Sequence, residues 1–290
     1  MHDQQSNMKG AIFMMASMAG FVLNDTMIKL VSEELALFQT VFLRGVMATA
    51  LLGLLAWYKG ALIYRPARRD MKIIGWRTFA EVGATFCFLT ALFNMPLANA
   101  TAILQSLPLA VTLAASLFLG QKVGWRRYLA ISIGFIGVLI IVRPGTEGFN
   151  AYSLWALGAV GFVTLRDLLS HKLSPATPSI FVALVTSAAV MVLSGLLAAT
   201  QEWRDVSLQT AIYLAAAAGF ILVGYIAAIT AMRHGDIPFV SPFRYSVLIW
   251  ALLLGFFVFG EIPDGWTIIG STIVVGMGIF TFYRERVSRR

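Results

Sequence analysis

Ten apolar stretches follow one another along the 290-residue chain, with almost no room between them for a water-soluble domain. Each is close to the roughly 20 residues that a helix needs to cross the hydrocarbon core of a bilayer. Strands of an outer-membrane barrel are shorter and alternate strictly, which these runs do not. The sequence therefore predicts an all-α membrane protein with ten transmembrane helices, at residues 10–31, 35–57, 73–94, 99–120, 128–142, 153–173, 178–199, 208–232, 237–260 and 266–283.

Composition agrees with a membrane protein. Hydrophobic residues make up 59% of the chain and charged residues only 12%, whereas about a quarter of the residues of a soluble domain are charged. The net charge of +8 would suit a nucleic-acid partner only if the basic residues gathered on one solvated face. They are instead spread over short loops, so we expect no nucleic-acid partner.

Loop charges are distributed unevenly between the two ends of the predicted helices. With a cytoplasmic amino terminus, most of the 22 Lys and Arg residues fall on the inner side, and Arg143 and Arg204 fall on the outer side. The outer side carries acidic residues instead: Glu33, Glu34, Glu147, Glu202, Asp205, Glu261 and Asp264. The positive-inside rule therefore predicts that both termini are cytoplasmic.

The two halves of the chain resemble each other at their carboxyl ends. Residues 119–121 and 124–125 read Leu-Gly-Gln and Gly-Trp, and residues 259–261 and 265–266 read Phe-Gly-Glu and Gly-Trp. A repeat of five helices is odd-numbered, so the second copy must enter the membrane from the opposite side. We predict two inverted five-helix repeats, residues 1–147 and 148–290. The plainer alternative is that any two apolar helices containing glycine look alike.

On these residues the chain resembles the EamA branch of the drug/metabolite transporter superfamily, over essentially its whole length. The stretch 91–145, with Pro96, Pro108 and the Arg-Pro-Gly of residues 143–145, carries the likeness most clearly. Within that branch the chain is similar to the bacterial YddG-type exporters of aromatic and other neutral amino acids. The resemblance implies a multi-pass transporter of the bacterial inner (plasma) membrane. One departure is Gln121, which stands where the family usually has Glu, while the second half keeps Glu261.

Inverted repeats imply a mechanism. Two copies of one bundle in opposite orientations can exchange conformations, so that opening on one side becomes opening on the other. We therefore expect alternating access to a central cavity near the middle of the membrane, between the two halves.

Ionisable residues within the spans are the sharpest candidates for function, because each is costly in lipid unless it meets a partner or water. Asp25 and Lys29 are four residues apart on the first helix and share a face. Arg44 lies at a matching depth on the second helix, so the three residues are predicted to cluster near the outer side. They form either a permanent ion pair that pins the first hairpin or an outer gate.

A second cluster is predicted near the inner side. Glu81 on the third helix, Arg244 on the ninth, and Arg166 with Asp167 on the sixth lie at similar depths. Arg77 is four residues before Glu81 and can satisfy it within one helix. If Arg244 pairs with Glu81 instead, the pair ties the halves together and serves as an inner gate.

Candidate cavity residues come from prolines and aromatics. Pro108 and Pro242 are predicted to kink the fourth and ninth helices, because a proline in a helix interior frees a carbonyl and bends the helix. The neighbouring polar groups, Gln105 and Tyr245, are then candidates to contact a ligand. A second set shares the face of the inner polar residues or lies behind it: Thr85, Phe88, Tyr225 and Trp250.

These groups suit an amphipathic zwitterion such as phenylalanine or methionine, whose carboxylate Arg44 or Arg244 would meet. We therefore expect a secondary transporter that exports aromatic and other neutral amino acids. Uptake or exchange of another metabolite, such as S-adenosylmethionine, and a passive channel-like facilitator remain alternatives. The sequence shows no metal-binding or nucleophile motif, so no enzyme activity, metal or cofactor is expected. The partners are expected to be a small-molecule substrate and membrane lipid, and the chain to be a monomer or a homodimer.

Overall fold

The computed structural model describes residues 4–120, 124–145, 149–234 and 237–288. Within these ranges the regular structure is entirely helical, as predicted. The boundary predicted at 147/148 and the family position Gln121 lie outside the described residues. The helices are α1 Gln4–Val31, α2 Leu37–Tyr58, α3 Arg68–Asn94, α4 Leu97–Leu104, α5 Leu107–Leu119, α6 Trp125–Val142, α7 Tyr152–His171, α8 Ser179–Ala198, α9 Leu208–His234, α10 Ile237–Val240, α11 Ser246–Phe259 and α12 Gly265–Ser288. Short 3-10 helices add Ala61–Ile63 and Ser241–Tyr245.

The described residues include eight helices that are long and apolar enough, by length and composition, to cross a membrane. Two of the ten predicted spans fall outside this set. The third span, in α3, carries Arg77 and Glu81 in its interior, and the tenth contributes the shorter apolar stretch Gly265–Thr281.

The fourth and ninth spans are interrupted helices, as their prolines predict. The fourth breaks between α4 and α5 at Gln105 and Ser106, immediately before the turn that contains Pro108. The ninth passes from α10 through the 3-10 helix with Pro242 into α11. Proline lacks a backbone N–H, so an unbroken α-helix cannot form at either place.

Helix pairing crosses between the two halves of the chain. The most extensive contacts join α1 to α9, α3 to α7, α2 to α8 and α6 to α12. Counting the broken fourth and ninth spans as one helix each, we can exchange every helix for the one five positions further on. This exchange turns the α1–α9 pair into the α7–α3 pair and the reverse, and it leaves the α2–α8 and α6–α12 pairs unchanged. The middle of the molecule is therefore walled by helices from both halves.

Small residues allow α1 and α9 to approach each other closely. A Cβ atom at Gly20 of α1 would lie 3.0 Å from the carbonyl oxygen of Phe220 and 3.1 Å from Gly224 of α9. Ser17 donates a hydrogen bond to the Gly224 carbonyl oxygen at 2.7 Å. Side chains larger than hydrogen at Gly20 and Gly224 would push α1 and α9 apart, which explains the glycines there.

The fifth and tenth spans also pack closely, as α6 and α12. A Cβ atom at Gly270 would lie 2.5 Å from the carbonyl oxygen of Gly137. These two helices therefore pack against each other within one chain.

The two ends of the bundle differ in charge. Because successive helices reverse direction, one end collects the loops with Glu34, Glu202 and Asp264, and the other collects the loops with Arg65 and Arg126. We call these ends the acidic face and the basic face.

Candidate functional site

A polar cavity lies in the middle of the helix bundle, and Tyr225 of α9 marks it. Its side chain is 53% exposed, although protein atoms surround it on nearly all sides. Its electrostatic neighbours are Glu81, Arg166, Arg44 and Arg77, which come from three other helices. An exposed ring among such groups faces an internal cavity and not lipid.

Asp25 of α1 and Arg44 of α2 are on the same cavity. Both side chains are half-buried and surrounded by protein. They interact electrostatically with each other, but they form no ion pair within hydrogen-bonding distance in the described part of the chain. The hydrogen bond to the Asp25 carboxylate comes from the Nδ2 atom of its neighbour Asn24, at 2.8 Å.

The predicted grouping of Lys29 with Asp25 is corrected by the structure. Lys29 forms an ion pair with Glu261 and donates a hydrogen bond to the Met95 carbonyl oxygen at 2.8 Å. Its ammonium group also lies 4.9 Å from the centroid of the Phe259 ring. Lys29 is one turn nearer the acidic face than Asp25, and its long side chain reaches these partners at the helix ends.

Glu81 of α3 is held by arginines from two helices. Arg166 of α7 lies 3.3 Å from the Glu81 carboxylate, and Arg77 lies 3.7 Å from it. The Arg166 guanidinium also pairs with Asp167 at 2.9 Å, and Arg77 donates to the Ser170 hydroxyl at 2.8 Å. This Glu81 network therefore connects α3 to α7.

The predicted partner of Glu81, Arg244, is not part of this network. Because α3 packs along α7, Arg166 is the arginine that reaches Glu81. The Arg244 side chain has accessible surface, although protein atoms surround it on most sides. Its electrostatic neighbour is Asp167. Within the described ranges its guanidinium forms no ion pair. The charge pairing between the halves that the sequence assigned to Arg244 is thus made by Arg166.

The structure separates the predicted cavity residues into two groups. Thr85, Phe88 and Gln105 are half-buried, with Phe88 packed against the main apolar core and Gln105 at the break after α4. Tyr245 is only 5% exposed, and its hydroxyl lies so close to Gly278 that a Cβ there would be 1.6 Å away. Tyr245 therefore packs between helices and does not line a cavity, because Gly278 leaves room for its ring.

Trp250 of α11 lies in a separate apolar groove. The groove has a volume of about 240 Å³ and is lined by Ala19, Leu23, Trp250, Leu253, Leu254 and Phe257. Phe257 is 76% exposed at its edge. Trp250 itself is half-buried and also packs against the main apolar core, so the structure places it in an apolar environment.

Phe21 is a cavity residue that the sequence analysis did not single out. Its ring packs edge-on against Tyr225, with centroids 5.3 Å apart and planes at 79°. It lies one helical turn before Asp25 on the same face of α1. That spacing is the signal that would have identified it.

Glu261 is the centre of an acidic-face junction, which consists of Glu261, Lys29, Met95 and Leu97. One Glu261 oxygen pairs with Lys29, and the other accepts the Leu97 backbone N–H at 2.8 Å. Leu97 begins α4, so Glu261 satisfies one of the donors that a helix leaves free at its start. This junction ties the α11–α12 turn to α1 and α4.

Further hydrogen bonds link the chain halves at both faces. At the acidic face, Gln39 donates to the Arg204 carbonyl oxygen at 2.6 Å, and Arg204 Nη1 donates to the Glu34 carbonyl oxygen at 3.0 Å. At the basic face, Thr177 donates to buried Asp70 at 2.8 Å. Both ends of the bundle are thus held by polar contacts.

Arg143 and Asp264 form an ion pair at the rim of the acidic face. Burial opposes ionisation of Asp264, but hydrogen bonds from Thr267 and from Arg143 outweigh it and lower the pKa of the Asp264 carboxyl. The Asp264 side chain is 40% exposed, so water screens this pair.

The cavity can bind both signs of charge. Asp25 and Arg44 face it without direct ion pairs, Arg244 adds a cation, and Phe21 with Tyr225 adds an aromatic wall. In the described part of the chain, no group of three or more His, Cys, Asp or Glu side chains is placed to hold a metal ion. The arrangement suits non-covalent recognition of a small molecule.

Comparison with known proteins agrees with this architecture. Residues 8–143 match the EamA-like transporter family. A riboflavin transporter of Vibrio cholerae is 29% identical over 98% of this chain and 96% of its own length. An S-adenosylmethionine uptake transporter of Rickettsia felis is 27% identical, over 91% of this chain and 88% of its own. The pseudopaline exporter CntI of Pseudomonas aeruginosa is 24% identical, over 90% and 92%.

A solved crystal structure shares the fold. It superposes with a TM-score of 0.65 at 16% identity, covering 97% of this chain and 99% of its own. A helical bundle of this kind with a central polar cavity defines a multi-pass membrane transporter of the bacterial inner membrane. The EamA-like match over residues 8–143 and the similarity to transporters over almost the whole chain agree with the EamA resemblance that its motifs predicted. The family and its named relatives are transporters and not enzymes.

Proposed function

We propose that this protein carries a small amphipathic metabolite with a carboxylate group across the inner membrane by alternating access. The observation that carries the proposal is the central cavity with two arginines, Arg44 and Arg244, that have no ion-pair partner in the described structure. An arginine at membrane depth is costly unless it meets an anion or water. A substrate carboxylate is such an anion, and guanidinium groups bind carboxylates in a planar, bidentate geometry.

Two inverted five-helix repeats, residues 1–147 and 148–290, are the proposed machinery. The set of helix pairs is the same after each span is exchanged for the one five positions further on. A two-fold axis in the membrane plane would produce this pattern. Contacts between the halves hold the cavity, through Glu261 at the acidic face and through Glu81, which lies nearer to the basic face than Glu261 does. Parting one set of contacts while the other persists would expose the cavity on one side at a time.

Aromatic and other neutral amino acids, such as phenylalanine and methionine, are the first proposed substrates, moved outward. They combine a carboxylate for Arg44 or Arg244 with an apolar part for Phe21 and Tyr225. Uptake of S-adenosylmethionine is the second candidate, because it has the same amino-acid head group and several relatives are named for its uptake. The same proposal includes the orientation of the chain in the membrane, with both termini in the cytoplasm. The loop charges are its support.

The test is counterflow in proteoliposomes. Purified protein is reconstituted with unlabelled phenylalanine, methionine, S-adenosylmethionine or riboflavin inside, and labelled compound is added outside. A carrier accumulates label transiently and saturates, whereas a passive pore does neither. Counterflow of a carboxylate-bearing compound is expected, and loss of it in Arg44→Gln and Arg244→Gln would connect it to the cavity. Counterflow of riboflavin alone would contradict the proposed substrate class.

Membrane orientation is tested separately with single cysteines. Cys87 is the one native cysteine and is buried, so a Cys87→Ser background removes it without exposing a new thiol. Cysteines placed at exposed Lys59 and at exposed Glu202 are expected to react with a membrane-impermeant maleimide from opposite sides of the membrane. Labelling of both from one side would contradict the proposed topology.

A further inference from the structure

Two aspartates occupy matching places in the two halves of the chain. Residues 20–25 of α1 read Gly-Phe-Val-Leu-Asn-Asp, and residues 161–167 of α7 read Gly-Phe-Val-Thr-Leu-Arg-Asp. With one residue inserted, Asp25 aligns with Asp167. Each lies on the first helix of its half, and each has an arginine from another helix as an electrostatic neighbour, Arg44 or Arg244.

The surroundings of the two aspartates differ. Asp167 is paired directly with Arg166, at 2.9 Å. Asp25 has Asn24 at the corresponding place, which is neutral and donates one hydrogen bond at 2.8 Å. No Lys, Arg or His of the described ranges forms an ion pair with Asp25. The Asp25 carboxylate therefore keeps its acceptor capacity on the cavity side, while that of Asp167 is used within the protein.

An aromatic pair lies one helical turn from Asp25. Phe21 is one turn away on the same helix face, and Tyr225 packs edge-on against it at 5.3 Å. Tyr225 is accessible from the cavity. Aromatic rings within about 6 Å of a cation attract it through the negative face of the ring. A carboxylate next to such rings is a recurrent arrangement for binding an organic cation.

We infer that Asp25, Phe21 and Tyr225 form a subsite for the cationic group of the substrate, an ammonium or a similar organic cation. Arg44, which interacts electrostatically with Asp25 across the cavity, then meets the carboxylate of the same molecule. The inference rests on the proposed transport of a carboxylate-bearing metabolite and narrows it to zwitterions. Asp167 and Arg166, being paired already, do not offer an equivalent second subsite.

The test compares three probes that share one apolar part. Phenylalanine carries both charges, 3-phenylpropionate lacks the ammonium, and phenethylamine lacks the carboxylate. Binding to the purified full-length protein in detergent is measured from the ligand-dependent rise of the unfolding temperature. For the parent, phenylalanine is expected to bind at least tenfold more tightly than either analogue.

Single substitutions then assign each charge to its residue. Asp25→Asn is expected to abolish the preference for phenylalanine over 3-phenylpropionate and to leave binding of 3-phenylpropionate unchanged. Tyr225→Phe is expected to keep the preference, and Tyr225→Leu to reduce it. Asp205→Asn makes the same chemical change in an exposed loop of the acidic face and is the matched control.

The outcomes separate this inference from the proposed function. A parent that binds phenylalanine and 3-phenylpropionate equally, or an Asp25→Asn variant that keeps the parental ratio, overturns the cationic subsite and leaves carboxylate transport standing. A parent that binds neither carboxylate compound overturns the proposed substrate class and this inference with it. A lost preference in Asp205→Asn as well would attribute the effect to global charge and also overturn the subsite.

Discussion

Charged side chains in the acidic-face junction and the Glu81 network differ from those at Asp25, Arg44 and Arg244. At the acidic face, Lys29 and Glu261 are paired with each other and with backbone groups. Around Glu81, two arginines share one carboxylate. By contrast, Asp25, Arg44 and Arg244 interact with charged groups only at longer range within the described structure.

The difference separates structural charges from charges available to a ligand. Desolvating an ion is costly, and a partner inside the protein offsets that cost only when it is close and well oriented. Lys29 with Glu261 and Arg166 with Glu81 meet this condition. Asp25 and Arg44 do not, so their environment is completed by water or by a substrate. We therefore expect substitutions of the directly paired charges to change stability, and substitutions of Asp25, Arg44 and Arg244 to change transport.

Removing the Glu261 charge is expected to have the largest effect on stability. Glu261→Gln leaves Lys29, whose side chain is 13% exposed, without its ion-pair partner. Breaking a largely buried pair in this way costs about 3 kcal/mol. The free energy of unfolding in detergent measures it, with Glu202→Gln in the same face as an exposed control.

A double variant decides whether the Glu261 effect comes from the pair itself. Lys29→Met with Glu261→Gln removes both charges and should be less destabilised than the sum of the two single variants. Additive losses would show that Glu261 acts through the Leu97 backbone contact alone.

The Glu81 network is expected to show a smaller loss. Glu81→Gln weakens contacts to Arg77 and Arg166 at 3.7 and 3.3 Å, which are longer than ideal charge-assisted hydrogen bonds. Arg166 retains Asp167, so the expected cost is about 2 kcal/mol. Thermal unfolding of Glu81→Gln beside the parent measures it, and an unchanged midpoint would place Glu81 among the cavity charges.

Asp25→Asn tests a charge that has no direct ion pair in the described structure. Because Asp25 has no direct ion pair in the described structure, its neutralisation is expected to change the free energy of unfolding by less than about 1 kcal/mol. Counterflow in the same preparation should nevertheless fall strongly. A destabilisation as large as that of Glu261→Gln would mean that Asp25 is a structural charge.

The smallest effect is expected for Arg143 and Asp264, whose exposed pair is worth less than about 1 kcal/mol. Because the pKa of folded Asp264 is lowered, its contribution is present above the ordinary carboxyl pKa of about 4 and is lost as pH falls through the folded value. The stability difference between parent and Asp264→Asn should therefore shrink below about pH 4. A difference independent of pH would exclude ionisation of Asp264 as its source.

Features that depend on neighbours along the chain were predictable. The apolar runs and the breaks near Pro108 and Pro242 follow from hydrophobicity and proline geometry. Partner choice was not predictable at the same level. Lys29 has Asp25 four residues away, yet it binds Glu261, 232 positions further along the chain.

The sequence by itself determined that this is a helical membrane protein with motifs that resemble those of EamA-like transporters, because length, apolarity and local motifs are properties of single segments. Only the tertiary structure decided that Arg166 and not Arg244 holds Glu81, that Tyr245 packs on Gly278, and that Asp25 forms no ion pair with any described residue. The physical reason is that ion pairs act over a few ångströms. Which groups come that close depends on how helices from opposite halves of the chain pack together.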